Sequence, residues 1–451
     1  MSEWTANSRI YGSAWSTPEL LGIFADEPRT RAWLEILAVL AEVEAEHGLI
    51  PKKEAAQVAA ACRKTAVDEA FLDEVAEGYR ETGHSTVGLI EAMRKRCPGA
   101  SGEWVYYGAT VQDLTDTWLM GALKEARALL DADLEGLESA LEELVRRHRD
   151  TVMAGRTHGQ QGLPITFGFK AASWLAEVRR HRERLAQIAP RMEVAQLCGG
   201  VGSLSALGPD ALKVQRAFCE RLGLQQPEAS WTVSRDRLAE WANLLVLIAG
   251  TADRIGHEVY NLQRSEIGEL SEGFVTGTVG SITMPHKRNP EIAEQLGALS
   301  RVVRANAQIV NESLVHDHER DGRSWKSEWH AIPELTMAAG KALNLLRKMV
   351  ETLTVHPDRM RANLETTKGY TLSEAVMLAL AERIGKQSAH QLVYDAAMRA
   401  IEAGTPLKEA IAKEPAIAEH FSAEEIDKLF DYANHTGACG ALADRILKTG
   451  K

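Results

Sequence analysis

Helical spacing of apolar residues over long stretches is the feature that most constrains how this chain of 451 residues can fold. Leucines at positions 130, 134, 137, 141 and 144 are separated by alternating steps of four and three, which places them on one face of a helix. The stretch 236–262 is apolar nearly all round at Leu244–Ala249, as expected for a helix surrounded by others in a bundle. No alternating strand pattern longer than four residues is convincing. The sequence therefore predicts an all-α protein.

Breaks in the helical pattern suggest three domains. Further helices are predicted at about 29–47, 166–196, 291–316, 330–353 and 371–385. The turn-forming segment Cys97–Gly102 interrupts the pattern, and near His356 and Pro357 long helices give way to shorter ones. We predict a small helical N-terminal domain at 1–108, a central bundle of long helices at 109–355 and a small helical C-terminal domain at 356–451.

Composition excludes several classes of protein. The net charge of −11 argues against nucleic acid or membranes as partners, and no apolar run reaches the ~18 residues of a membrane span. The N-terminus has no apolar signal core, and the five scattered cysteines lack a C-x-x-C pair, as in reduced core thiols. The fourteen histidines show no H-E-x-x-H spacing, so no metal site is predicted. These observations predict a cytoplasmic protein.

The segment 273–290 is unusual for a helical protein. It is rich in glycine, serine and threonine, contains two prolines and separates two long helices. Lys287 and Arg288 lie close in sequence to Ser281, Thr283 and Asn289, and such cations, hydroxyls and amides suit recognition of carboxylates. A solvated basic loop without a function would have the same composition.

Three segments resemble, in the same order, sequences of the fumarase/aspartase superfamily. Gly280–Pro290 (GSITMPHKRNP) is similar to its G-S-S-x-M-P-x-K-x-N-P loop. Gly108–Asp113 (GATVQD) resembles its G-A-T-S-x-D segment, and Gly155–Gln160 (GRTHGQ) resembles its G-R-T-H-x-Q segment. With the N-terminal residues 24–51, the similarity spans nearly the whole chain. It implies a helical lyase that eliminates a leaving group β to a carboxylate.

The resemblance also implies roles for individual residues. Removing a weakly acidic proton next to a carboxylate gives an aci-carboxylate dianion, so the site needs a strong base and focused positive charge. By resemblance Ser281 is the base, and Lys287 and Asn289 hold the substrate carboxylate and stabilise the anion. His158 corresponds to the general acid, with Glu294 as its carboxylate partner. No organic cofactor or metal is implied.

The remaining candidates are substrate-binding residues. His84 resembles a second histidine that adenylosuccinate lyases use near the departing group. The superfamily assembles each site from three subunits of a tetramer, so we expect a homotetramer with shared sites, acting on a small-molecule carboxylate. The candidate substrate-binding residues are Thr110, Gln112, Asn289, His84, Ser85, Thr86, Thr157, Arg235 and Arg320.

Several residues of this chain differ from those at the corresponding positions of the superfamily, and these differences bear on which substrate is bound. The Arg-Tyr pair that precedes the S-x-P-E segment of adenylosuccinate lyases is replaced by Ala14-Trp15, and Gly268 stands where those enzymes usually have arginine. A phosphate dianion would lose several charge-assisted hydrogen bonds. Val111 and Ile282 replace two serines beside the substrate carboxylates, either by drift or because the substrate is different.

The function that we favour is β-elimination from a succinyl-type acid, with N-substituted aspartates preferred and fumarate released. The alternative is cycloisomerisation of 3-carboxy-cis,cis-muconate, in which the same base and acid close or open a lactone. Adenylosuccinate cleavage is less favoured. A serine hydrolase is disfavoured because G-x-S-x-G is absent, and a non-catalytic member of the superfamily is disfavoured because Ser281, Lys287 and His158 are retained.

Overall fold

The computed structural model describes residues 5–273, 283–284 and 286–449. The chain folds into two compact units. Unit 1 comprises residues 1–133, 181–252 and 298–344, and unit 2 comprises residues 134–180, 253–297 and 345–451. The dividing points lie inside long helices, so these helices contribute residues to both units. The three-domain division at 108 and 355 follows other boundaries and stays a prediction.

Helices dominate the described residues, and their bounds follow the chain in three stretches. The first stretch contains α1 (Gly12–Trp15), α2 (Pro18–Phe24), α3 (Asp26–Glu46), α4 (Lys52–Lys64), α5 (Glu69–Thr82) and α6 (Val87–Arg96). The second contains α7 (Val111–Arg147), α8 (Phe167–Met192), α9 (Ala211–Arg221), α10 (Asp236–Gln263), α11 (Glu291–Glu312) and α12 (Gly322–Thr352). The third contains α13 (Pro357–Glu365), α14 (Ser373–Ile384), α15 (Lys386–Ala403), α16 (Leu407–Lys413), α17 (Pro415–Ala418), α18 (Ala423–Leu429) and α19 (Cys439–Lys448).

The predicted helical periodicity is confirmed. The leucine stripe lies on α7, where Leu130, Leu134, Leu137 and Leu141 are at most 1% exposed. Such a stripe stabilises a long helix because each buried leucine removes apolar surface from water. Helix α10 was expected to be surrounded by other helices. In this chain, however, its Leu247 side chain is 50% exposed. Within the described chain, no helix combines the length and the apolar character that a bilayer span requires.

A β-hairpin was missed by the sequence pattern. Strand β1 (Val152–Thr157) pairs antiparallel with β2 (Gln160–Thr166), and β3 (Leu270–Ser271) pairs antiparallel with β4 (Thr354–Val355). The register shifts between Ala154 and Arg156, and Gly155 and Pro164 lie within the strands. A bulge of this kind breaks the period of two by which a strand is recognised. The hairpin contains the whole Gly155–Gln160 segment, so this omission concerns the site directly.

Helices α5 and α6 approach each other backbone to backbone in unit 1. A Cβ atom added at Gly78 would lie 2.4 Å from the Cα atom of Gly88, and one added at Gly88 would lie 2.3 Å from the carbonyl oxygen of Val75. Only glycine allows this separation, because any side chain would overlap the facing backbone. The contact fixes the corner between the two helices, residues 83–86, which carries three of the candidate substrate-binding residues.

Gly78→Ala is therefore expected to lower the free energy of unfolding by about 2 kcal/mol, because its methyl group overpacks a backbone contact that has no flexible side chain to yield. Urea unfolding of the variant and of the wild type measures the difference. Gly22→Ala is the matched control, since a Cβ atom at this helical glycine meets nothing within 4 Å. It should be neutral or stabilise slightly. Equal unfolding midpoints for the Gly78 and Gly22 variants would contradict the close contact.

Candidate active site

The candidate residues fall into two sets, one in each unit. Ser281 and Ile282 lie outside the described residues. Unit 1 contains His84, Ser85, Thr86, Thr110, Gln112, Arg235 and Arg320. Unit 2 contains Thr157, His158, Lys287, Asn289 and Glu294.

The start of α7 is organised by a buried carboxylate, Asp113, which is 1% exposed. Its oxygens accept hydrogen bonds from the backbone N–H groups of Thr110, Cys198 and Gly199 at 2.9, 2.8 and 3.0 Å. Burial raises the pKa of Asp113 to about 6, and the three amide donors oppose that shift. Asp113 thus joins the segment before α7 to the loop after α8, and it fixes the backbone of Thr110.

Several polar groups beside Asp113 are buried without a hydrogen-bond partner. They are the Thr86 hydroxyl, the Tyr106 hydroxyl and the Nε and Nη2 atoms of Arg320. The Arg320 guanidinium lies close enough to Asp113 and Tyr106 to lower the pKa of both, against the raising effect of burial. Buried donors are nearly always satisfied in native proteins. The Thr86 and Tyr106 hydroxyls also lie close enough to each other for Thr86 to lower the pKa of Tyr106. Together with the two unpaired nitrogens of Arg320, they form a group of donors suited to binding a carboxylate.

Gln112 is fully buried, and its Nε2 atom donates to the carbonyl oxygen of Thr232 at 3.1 Å. The same atom lies 3.4 Å from Asp116 Oδ2, whereas its own Oε1 has no partner. In this arrangement the amide N–H₂ group is engaged by the protein. The geometry therefore favours a positioning role for Gln112 over the predicted donation to a carboxylate.

Arg235 lies in a buried ion-pair triad and is 1% exposed. Its guanidinium donates to Glu328 from Nε and Nη2 at 3.0 and 2.5 Å, and to Asp116 from Nη1 and Nη2 at 2.7 and 3.1 Å. Two carboxylates already surround the one cation, so the triad carries a net negative charge. The geometry therefore supports a structural role for Arg235, and its predicted contact with substrate stays a prediction.

His158 lies at the tip of the β1–β2 hairpin in unit 2. Thr157 pairs with Gln160, so His158 and Gly159 form a two-residue turn, with φ angles of 52° and 77°. Positive φ at both central residues matches the right-handed twist of a hairpin but disfavours a residue with a side chain at the first position. Both residues are exposed. The turn projects an imidazole into solvent at the cost of an uncommon backbone conformation.

The buried carboxylate of Glu269 holds the β1–β2 hairpin in place. Arg156 on β1 donates to Glu269 from Nη1 and Nη2 at 2.9 and 2.6 Å, and Asn363 Nδ2 donates to Glu269 at 2.7 Å. Glu269 is fully buried. Because a bidentate guanidinium–carboxylate pair holds both planes in one orientation, Arg156 positions the turn that carries His158.

The basic loop residues of unit 2 lead into α11. Glu272 accepts hydrogen bonds from the backbone N–H groups of Ile292 and Ala293 at 3.0 and 2.7 Å, which satisfies donors of the first helical turn. Lys287 and Glu294 are exposed, and Asn289 is half-buried. Within residues 5–273, 283–284 and 286–449, no hydrogen bond or ion pair joins His158 to Glu294. Their pairing stays a prediction.

Two residues near Thr110 were missed by the sequence reasoning. Tyr106 has a φ angle of 65° and a buried hydroxyl. Glu44 on α3 is fully buried without a partner, and a Cβ atom added at Gly108 would lie 3.2 Å from its Oε1. Glu44 falls seven residues after Leu37, on the buried face of its helix, so its position among apolar residues was a usable signal. Among the residues described, no three His, Cys, Asp or Glu side chains are grouped as metal ligands.

Burial raises the pKa of Glu44 to about 9 because no charge or donor compensates its desolvation. A raised carboxyl pKa stabilises the fold at low pH, and this stabilisation is lost as pH rises from about 4.5 towards 9. Wild-type protein should therefore lose stability relative to Glu44→Gln over that range, by at most about 1.4 kcal/mol per pH unit. Urea unfolding at pH 5, 7 and 9 measures the free energy of unfolding of each protein.

Glu81→Gln, at an exposed position on α5, is the control and should show the same pH dependence of stability as the wild type. Parallel stability profiles for the wild type and both variants would contradict a neutral Glu44.

Comparison with known proteins places these elements in a family. Residues 13–305 match the family model described as "Lyase", and residues 369–446 match the one described as "Adenylosuccinate lyase C-terminus". An N-acetyl-S-(2-succino)cysteine lyase of Enterococcus italicus is 39% identical over 96% of this chain and 94% of that protein.

Two further relatives come from Pseudomonas. A 3-carboxy-cis,cis-muconate cycloisomerase of Pseudomonas aeruginosa is 37% identical over 99% of this chain and 97% of that protein. The crystal structure of 3-carboxy-cis,cis-muconate lactonizing enzyme from Pseudomonas putida is 34% identical, with a TM-score of 0.92 and 98% of each chain covered. The family model and the full-length relatives agree with the three ordered segments, and the chain belongs to the lyase family of the fumarase/aspartase superfamily.

Proposed function

We propose that this lyase releases fumarate from a succinate that carries a nitrogen or sulfur substituent. The observation that carries the proposal is the group of buried donors without partners, on Thr86, Tyr106 and Arg320, beside the fixed backbone of Thr110. Such a group suits a substrate carboxylate. The sequence favours N-substituted aspartates as substrates. The relative named N-acetyl-S-(2-succino)cysteine lyase extends the proposed substrate class to thioethers of succinate.

The reaction conserves atoms and charge without a cofactor. Ser281, as an alkoxide, removes the proton from the carbon next to one carboxylate, and the electron pair moves onto that carboxylate. Lys287 and Asn289 stabilise the resulting aci-carboxylate dianion. The electrons then return to form the carbon–carbon double bond, the carbon–heteroatom bond breaks, and His158 protonates the departing nitrogen or sulfur. The products are fumarate and a free amine or thiol.

A homotetramer with shared sites is part of the proposal. His158 is exposed at a hairpin tip and has no hydrogen bond to Glu294 within the described chain, so its carboxylate partner would come from another subunit. Apolar residues on the long helices of unit 1 are also open to solvent in this chain, among them Leu247 at 50% and Ile309 at 36%. Exposed apolar surface of this kind is commonly covered by association.

The second candidate function is cycloisomerisation of 3-carboxy-cis,cis-muconate. The cycloisomerase of Pseudomonas aeruginosa matches over almost its full length, which favours this reading. The two functions use the same base and acid, and they differ in whether the heteroatom leaves or stays in a lactone.

A product assay distinguishes the candidates. Purified protein is incubated with N-acetyl-S-(2-succino)cysteine, with N-alkylaspartates and with 3-carboxy-cis,cis-muconate. We expect fumarate, followed by its absorbance and by chromatography, from the first two substrate classes. Lactone from the third substrate without fumarate from the others would replace the proposal by cycloisomerisation. Ser281→Ala is the control in which all turnover should be abolished.

His158→Asn separates the chemistry of this residue from its backbone. Asparagine adopts positive φ more readily than most residues, so the turn should form and the unfolding free energy should stay the same or rise. Fumarate formation should fall by about 10²–10⁴-fold because the general acid is lost. His390→Asn, at an exposed position on α15 outside both candidate sets, should keep wild-type activity.

Mixing subunits then tests the shared site. Inactive His158→Asn and Ser281→Ala proteins are unfolded and refolded together. If His158 and Ser281 of one site come from different chains, mixed tetramers regain activity well above either parent. Mixed oligomers without any recovered activity would show that both residues of a site belong to one chain.

A further inference from the structure

An aromatic cavity lies in unit 1 next to the candidate substrate-binding residues. Its volume is about 430 Å³, within the range of small-molecule sites. Helices α3, α5, α7 and α12 enclose it with mostly apolar side chains. The aromatic lining residues are Trp33, Tyr79, Trp118, Trp325 and Trp329.

The tryptophans form two ordered pairs. Trp33 and Trp118 meet edge to face with ring centroids 6.0 Å apart, and Trp325 and Trp329 do so at 4.7 Å. The Arg29 guanidinium lies over Trp33 and Trp118 at 5.3 and 5.7 Å and is also paired with Asp26. Edge-to-face aromatic pairs of this kind provide rigid apolar walls at little entropic cost. The cavity is therefore preformed.

The cavity borders the candidate carboxylate site within the same unit. Ser85, the neighbour of Thr86, lines it, as do Thr115 and Asp116 on the first turns of α7. Asp116 Oδ2 lies 3.4 Å from Gln112 Nε2, one helical turn earlier. A ligand with a carboxylate near Thr86 and Thr110 can therefore extend a substituent into the cavity.

The charge at the polar wall selects against anionic substituents. Asp116 and Glu328 both line the cavity and share the cation Arg235, so this wall carries a net negative charge where both carboxylates are ionised. Burial raises the pKa of Glu328, and the Arg235 guanidinium opposes that shift. A phosphate or carboxylate placed against this wall would be repelled, so the carboxylate of a departing group such as N-acetylcysteine would have to lie outside the cavity. The indole Nε1 of Trp33 and the Nε of Arg29 are buried donors without partners, and they would accommodate one uncharged acceptor atom.

We propose that this tryptophan cavity binds the substituent of the departing heteroatom, and that the preferred substituent is an uncharged aromatic group. The preferred substrates would then be aralkyl amines or thiols linked to succinate. This inference rests on the proposed function for its link to turnover, whereas binding tests it separately. Aromatic rings fill such a cavity well, while a methyl group leaves most of it empty.

Two matched probes test the proposal, 2-(benzylthio)succinate and 2-(methylthio)succinate. They have the same carboxylates and scissile bond and differ only in the substituent. The wild type should show a kcat/KM for the benzyl compound at least about tenfold above that for the methyl compound. Trp329→Ala, which opens the cavity, and Ala76→Phe, which fills it from α5, should each reduce this ratio by about tenfold. Tyr394→Ala, at an exposed aromatic residue of α15, should keep the wild-type ratio.

Binding to the Ser281→Ala protein, followed by tryptophan fluorescence, separates this inference from the proposed reaction. Tighter binding of the benzyl compound that is lost in Ser281→Ala/Ala76→Phe supports the cavity even if neither probe is turned over. Turnover of both probes at similar rates, with ratios unaffected by Trp329→Ala and Ala76→Phe, would overturn the cavity proposal while fumarate release stands. Equal binding of both probes in the absence of turnover would overturn it as well.

Discussion

The burial of Asp113 is the interaction on which the unit 1 set of candidate residues depends. One carboxylate accepts backbone hydrogen bonds from Thr110, Cys198 and Gly199, so it joins two loops that are distant in sequence. Desolvation and the amide donors act on its pKa in opposite directions. The Asp113 side chain faces protein amides, which leaves the donors of Arg320, Thr86 and Tyr106 available for a ligand.

Much of the fold could be predicted because long amphipathic helices repeat their pattern over many turns. The leucine stripe of α7 was recognised for this reason and is buried as expected. The β1–β2 hairpin could not be predicted, since Gly155 and Pro164 lie within its strands and a bulge shifts its register between Ala154 and Arg156. A local irregularity of this kind removes the period on which strand recognition depends.

The superfamily was easier to predict than the partners of individual side chains. The three ordered segments identified the superfamily, and the full-length relatives agree with it. The partners of a side chain, however, are set by the tertiary structure. Arg235 was assigned to substrate, yet its carboxylate partners Asp116 and Glu328 lie 119 and 93 residues away in sequence. Glu44 is a buried acid whose raised pKa comes entirely from desolvation by its surroundings.

The glycine contact between α5 and α6 has a mechanical consequence. With backbone against backbone at Gly78 and Gly88, the separation of the two helices on either side of residues 83–86 is set by main-chain contact. This contact restricts the backbone that carries His84 and Ser85 before any ligand arrives. Restricting the backbone in advance lowers the ordering entropy that binding has to offset.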